Sequence, residues 1–92
     1  MTSKERAEWR KQAMKLDSII QVGKDGITPA LIHTVCQAIN NRELIKITVL
    51  ENSCEDVRDI ANEIAEKTES EVIQVIGRKI VLYKFNPEKK RK

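Results

Sequence analysis

The sequence predicts one α/β domain, with elements in the order α-β-α-β-α-β-β and a four-stranded mixed sheet packed with three helices. Three observations predict it. Segments with apolar residues at helical spacing alternate with short runs of β-branched residues. Turn residues fall between the segments: Gly23-Lys24-Asp25-Gly26, Asn40-Asn41 and Gly77-Arg78. The 92 residues suffice for one core and not for two. Strand-helix-strand crossovers favour parallel pairing, and the last two strands form an antiparallel hairpin.

The first helix covers Ser3 to Lys15, where Trp9, Ala13 and Leu16 share one side and Lys4, Lys11 and Lys15 the opposite one. A β-rich run from Ser18 to Val22 enters the first glycine loop. Thr28 then caps a helix whose first position is Pro29, a residue with no N–H to leave unpaired. Its apolar arc is Leu31, Ile32, Val35, Cys36, Ala38 and Ile39, and Asn40-Asn41 ends it. Leu44 to Leu50 is a strand broken at alternate positions by Lys46 and Thr48. Ser53, with Asp56 three residues on, opens the third helix, in which Val57, Ile60, Ala61, Ile64 and Ala65 keep helical spacing. Glu71 to Ile76 and Lys79 to Phe85 are strands joined at Gly77-Arg78, where glycine in the first turn position suits a type II′ turn. Trp9 and Phe85 complete the core, and residues 86–92, basic and without an apolar anchor, read as a disordered tail beyond a domain of residues 1–85.

Composition narrows the function classes. Hydrophobic residues make up 40% and charged ones 34%, and no apolar run approaches the roughly 20 residues that span a bilayer. Cys36 and Cys54 form no CxxC pair and no disulfide framework, so reduced thiols and a cytoplasmic location are expected. The net charge is only +3, but it is unevenly spread. Eight acids against two bases between Glu51 and Glu71 make that stretch −6, so the rest carries +9. Such a molecule attracts phosphates on one side and repels them on another.

Catalysis finds little to build on. One histidine and two cysteines leave no visible nucleophile-base-orienter set. His33, Cys36 and Cys54 would lack a fourth ligand for a structural metal, and no Walker A or GxGxxG pattern is present. No enzyme activity, cofactor, metal or small-molecule substrate is expected. The first glycine loop has a clearer use. Two glycines let a nucleic-acid backbone approach the peptide chain, and the following helix start favours phosphate, as in the clamp of KH domains. A tight strand-to-helix connection alone would also account for such a loop.

The flanks add specificity. Ile20-Gln21-Val22-Gly23-Lys24-Asp25-Gly26-Ile27-Thr28, Glu43-Leu44-Ile45-Lys46-Ile47, and Gln74-Val75-Ile76-Gly77-Arg78-Lys79-Ile80-Val81-Leu82-Tyr83-Lys84 occur in that order. Together they resemble the CRM domain (chloroplast RNA splicing and ribosome maturation), most of all its stand-alone YhbY-type prokaryotic members. The resemblance runs from about Ala13 to Lys84. It implies an RNA-binding α/β domain similar to the C-terminal domain of translation initiation factor three, with the glycine loop on the RNA face. It also implies an association with ribosomal RNA in large-subunit precursors. Two positions depart from the family pattern: Asp25 puts an acid inside the loop, and Ser18 stands where members often have proline.

The expected RNA-binding residues are Gly23, Lys24, Asp25 and Gly26 of the loop. Charge placement adds Lys11, Lys15, Arg78 and Lys79. With aromatics at 3%, base stacking on an open sheet is poorly provided for, which favours recognition of RNA shape. The alternative from another class is a protein-interaction adaptor, which predicts RNA affinity indifferent to Gly23 and Gly26.

Overall fold

A computed structural model describes residues 2–51 and 56–85. The element order is α1 (Ser3–Ala13), β1 (Ile20–Val22), α2 (Pro29–Arg42), β2 (Leu44–Val49), α3 (Val57–Thr68), β3 (Glu71–Ile76) and β4 (Lys79–Tyr83). Cys54, Ser53 and the tail expected at 86–92 lie outside the described residues.

Period-two alternation in the strands divides the molecule into three layers. On β2, Ile45, Ile47 and Val49 turn to one face, as do Ile80 and Leu82 of β4, and there they meet Val35 and Ile39 of α2 and Ile60, Ala61 and Ile64 of α3. Leu44 and Val81 turn to the other face, where they join Ala13 and Ile73, with Trp9, Leu16 and Tyr83 packed around them. The sheet thus lies between α1 on one side and α2 with α3 on the other.

The strand order is β1-β2-β4-β3. β1 and β2 pair in parallel, with Ile20 opposite Ile47. β4 is antiparallel to both β2 and β3. The second crossover therefore leaves β3 parallel in direction to β2 without pairing to it, because β4 is inserted between them. The hairpin is as read: Ile76 faces Lys79 across two turn residues, Gly77 has φ 58°, and Arg78 is outside the left-handed region. β3 is less regular than its sequence suggests. The register slips between Val72 and Gln74, a bulge at Ile73.

Several boundaries differ from the sequence reading, each with a local cause. α1 stops at Ala13, and its start is fixed by a capping box in which Thr2 Oγ1 accepts from Glu5 N–H and Glu5 Oε1 from Thr2 N–H. α2 runs through Asn40-Asn41 to Arg42 and ends at Glu43, which takes φ 67°. α3 begins at Val57 and is capped by Asp56, whose Oδ1 accepts from Arg58 N–H at 2.8 Å. Phe85 is 57% exposed, so it does not complete the core as Trp9 does.

Candidate nucleic-acid interface

The glycine loop begins where β1 ends. Leu50 N–H donates to Val22 O at 2.8 Å, tying β1 to the end of β2, and Gly26 N–H donates to Gly23 O at 3.0 Å to close a four-residue turn. Lys24 and Asp25 are exposed at its tip. Gly26 has φ 67°, a left-handed conformation that explains its glycine on backbone grounds. Gly23 is different. It is not among the positive-φ residues, and a Cβ there would stand 3.8 Å from Leu50 Cδ1, an ordinary contact. The fold itself does not require glycine at position 23.

Beyond the loop, Thr28 Oγ1 accepts from Leu31 N–H at 3.1 Å, Pro29 opens α2, and the first turn carries no acid. An anion approaching this helix start meets the Ala30 N–H and the helix dipole, since Pro29 has no N–H and that of Leu31 is taken by Thr28, and it meets Asp25 on the loop side of the same groove. The loop, the outer side of β1 and the start of α2 enclose a groove of about 430 Å³, with Gln21, Gly23 and Lys24 on one wall and Ala30, Leu31 and Thr34 on the other.

The strand order brings the Gly77-Arg78 hairpin to the same end of the sheet as this loop. Arg78 has a different task from the free cation its sequence position suggests. Its Nε donates to Val49 O at 2.9 Å and its Nη2 to Leu50 O at 2.6 Å. These bonds brace the strand end directly behind Gly23, since Leu50 is the residue that touches position 23. Lys79 is exposed beside it. Lys11 and Lys15 are both exposed, but Lys15 lies past the end of α1, in a turn where its N–H donates to Gln12 O. The lysines at 4, 11 and 15 therefore do not form a single helix stripe.

Lys46, absent from the expected set, stands on the α1 side of the sheet, in the same cleft as Lys79 and Arg78. Its signal was present in the sequence: a lysine at the alternate position of an apolar strand marks the face opposite Ile45 and Ile47. The exposed acids Asp59, Glu63 and Glu66 belong to α3, in the opposite layer. The charge separation read from the sequence is thus partly one between faces: the α3 acids lie opposite Lys46 and Lys79, while Glu5, Glu8 and Glu71 share the α1 side, around Trp9 and Tyr83.

The CRS1 / YhbY (CRM) domain matches residues 1–84. The chain belongs to this family. The Bacillus subtilis protein named Probable RNA-binding protein YqeI is 40% identical over 91 residues, covering 99% of this chain and 95% of the relative. A Haemophilus influenzae protein named RNA-binding protein is 29% identical over 90 residues, covering 98% of this chain and 91% of its own. The solution structure of SAV1595 from Staphylococcus aureus superposes with a TM-score of 0.80 at 40% identity, covering 94% of this chain and 90% of that one.

In this CRM domain the departure at Ser18 has a structural role. Ser18 Oγ accepts from Thr48 Oγ1 at 2.7 Å and donates to Ile20 O at 3.2 Å, so a side chain pins the entry to β1. The other departure, Asp25, sits exposed at the tip, level with Lys24.

Proposed function

We propose that this protein binds RNA without catalysing a reaction, holding a phosphate backbone in the groove between the glycine loop and the start of α2. The observation that carries this reading is Gly23. Neither its dihedral angle nor its neighbours demand glycine, yet it lines the groove. A ligand that must come close to the main chain supplies the reason. The names of the relatives agree with it, since YqeI and the Haemophilus protein are both named for RNA binding.

Lys24 and the Ala30 N–H at the α2 start contact phosphates, while Lys79, Lys46, Lys11 and Lys15 add electrostatic attraction. Arg78 contributes by holding Val49 and Leu50 in place behind the loop. The RNA is ribosomal, within large-subunit precursors, and the protein works in the cytoplasm as an assembly factor that stabilises an RNA conformation. This follows the stand-alone members of the family that the three sequence blocks resemble.

The test is Gly23→Asp, checked for folding by circular dichroism and titrated with large-subunit ribosomal RNA fragments across a salt series. An aspartate there places a charge in the groove wall and is expected to weaken binding by at least tenfold, about 1.4 kcal/mol. Gly26→Asp is a poorer probe, because its left-handed φ adds strain of about 1–2 kcal/mol to the fold itself. Equal binding by the folded variant would reject the clamp and favour the adaptor reading.

A further inference from the structure

α1 covers only half of its face of the sheet. Trp9, Ala13 and Leu16 close over Leu44, Ile73, Val81 and Tyr83, with Trp9 stacked on Tyr83 at 4.3 Å between ring centroids. Toward the loop end the face stays open, and a cleft of about 430 Å³ remains there. Met14 and Ile76 stand at its edge, 80% and 61% exposed, and Val81 lies in its floor. Among the described residues, Lys46, Lys79 and Arg78 are its charged ones, Gln74 its neutral polar one, and no acid lines it.

We propose that this cleft is a second RNA contact, seating one unstacked base against Met14 and Ile76 while Lys46 and Lys79 hold the flanking phosphates. The proposal rests on the RNA-binding reading and adds a site separate from the glycine loop. Three observations support it.

The first is chemical fit. A base has an apolar face and a hydrogen-bonding edge. The cleft supplies a thioether and a branched aliphatic chain for the face, and an amide that both donates and accepts for the edge.

The second is charge. A cleft with cations and no carboxylate suits a polyanion, and α3 with its acids lies on the opposite side of the sheet.

The third is continuity. Gln21 pairs with Thr48, Thr48 with Lys79, and Lys79 with Ile76. One row of side chains thus crosses the sheet from the wall of the loop groove into the cleft. With strands about 4.8 Å apart, Gln21 and Lys79 are separated by only about 10 Å, a gap that a few nucleotides of single strand bridge.

The experiment compares a short mixed-sequence single-stranded RNA with an abasic oligomer of the same length. The proteins are the wild type, Met14→Ser/Ile76→Ser, Lys46→Gln/Lys79→Gln and Gly23→Asp. All four substituted cleft residues are at least partly exposed, so folded variants are expected, and circular dichroism checks this. The wild type is expected to prefer the base-bearing strand. Met14→Ser/Ile76→Ser narrows that preference by about fivefold while leaving the salt dependence unchanged. Lys46→Gln/Lys79→Gln lowers the slope of log affinity against log salt by about 1.4, two contacts at roughly 0.7 each. If Met14→Ser/Ile76→Ser binds both strands as the wild type does, the base seat is wrong, and a protein partner for the cleft is the remaining occupant. Loss of binding in Gly23→Asp alone then leaves the loop clamp standing without the cleft. If the wild type binds neither strand, the RNA reading falls and the cleft proposal with it.

Discussion

Gly23 and Gly26 carry the same letter for different reasons. Position 26 needs glycine for its φ of 67°, whereas position 23 does not, and only the backbone geometry separates the two. The sequence showed a GxxG and could not apportion its glycines between turn and ligand. Two acids sit where glycine would be at ease: Glu43 at φ 67° and Glu69 at φ 57°. Glu69→Gly is expected to stabilise the fold by about 1 kcal/mol, read as a higher urea midpoint at unchanged m-value, because a left-handed L-residue costs about that much. Tyr83 offers a pH test. Burial, with the charges of Glu43 and Glu5 adding to it, raises its pKa above the ordinary 10.0. A raised folded-state pKa means that the unfolded chain loses its phenolic proton first. This share of stability is therefore complete below pH 10.0 and declines as pH climbs from there through the folded value. In urea titrations on the alkaline side, Tyr83→Phe should lose less stability than the wild type over that interval.

Among the elements, those with long apolar periodicity were legible, and those fixed by a single side chain were not. α3 and β2 were readable because their apolar positions keep one period throughout. The end of α1 was not, because Leu16 continues the apolar pattern after the backbone has left the helix. The insertion of β4 between β2 and β3 also has no local signature, since pairing partners are chosen by the whole sheet. Of the candidate site, the glycine loop between β1 and α2 and the exposure of Lys79 were legible. The brace at Arg78 was hidden because its partners are carbonyls of a strand some 29 residues away. α1 is held to the sheet by few groups. It buries only Ala13 and is fastened by Arg6, whose Nη1 donates to Val72 O at 2.6 Å and whose Nη2 pairs with Glu71 at 3.4 Å. Its amides should exchange with deuterium through local opening, well before those of Ile45, Ile47 and Val49, which exchange only on global unfolding. Trp9→Ala should cost about 2 kcal/mol and accelerate that exchange selectively in α1.

Across the whole molecule, the sheet stands between the acids of α3 and the lysine-lined cleft beside α1. Its helix-covered side carries the acids of α3, and its half-covered side carries Lys46 and Lys79. Reversing charge on α3 away from both clefts, as in Glu66→Lys, is expected to change RNA affinity by less than about threefold at physiological salt, where the Debye length is about 8 Å. Lys46→Gln/Lys79→Gln should exceed that under the same conditions. One residue of β3 adds to the second face without taking a place in the pairing. On either side of the bulge, Glu71 faces Tyr83 and Val72 faces Leu82, while Gln74 faces Val81 and Val75 faces Ile80. Removing Ile73 would bring these two halves into a single unbroken ladder with every remaining partner unchanged. Ile73 is thus a supernumerary residue as far as pairing goes, and what it adds is an apolar side chain beneath α1. A one-residue insertion in the ladder thus enlarges the apolar floor on which α1 rests, beside Leu44, Val81 and Tyr83.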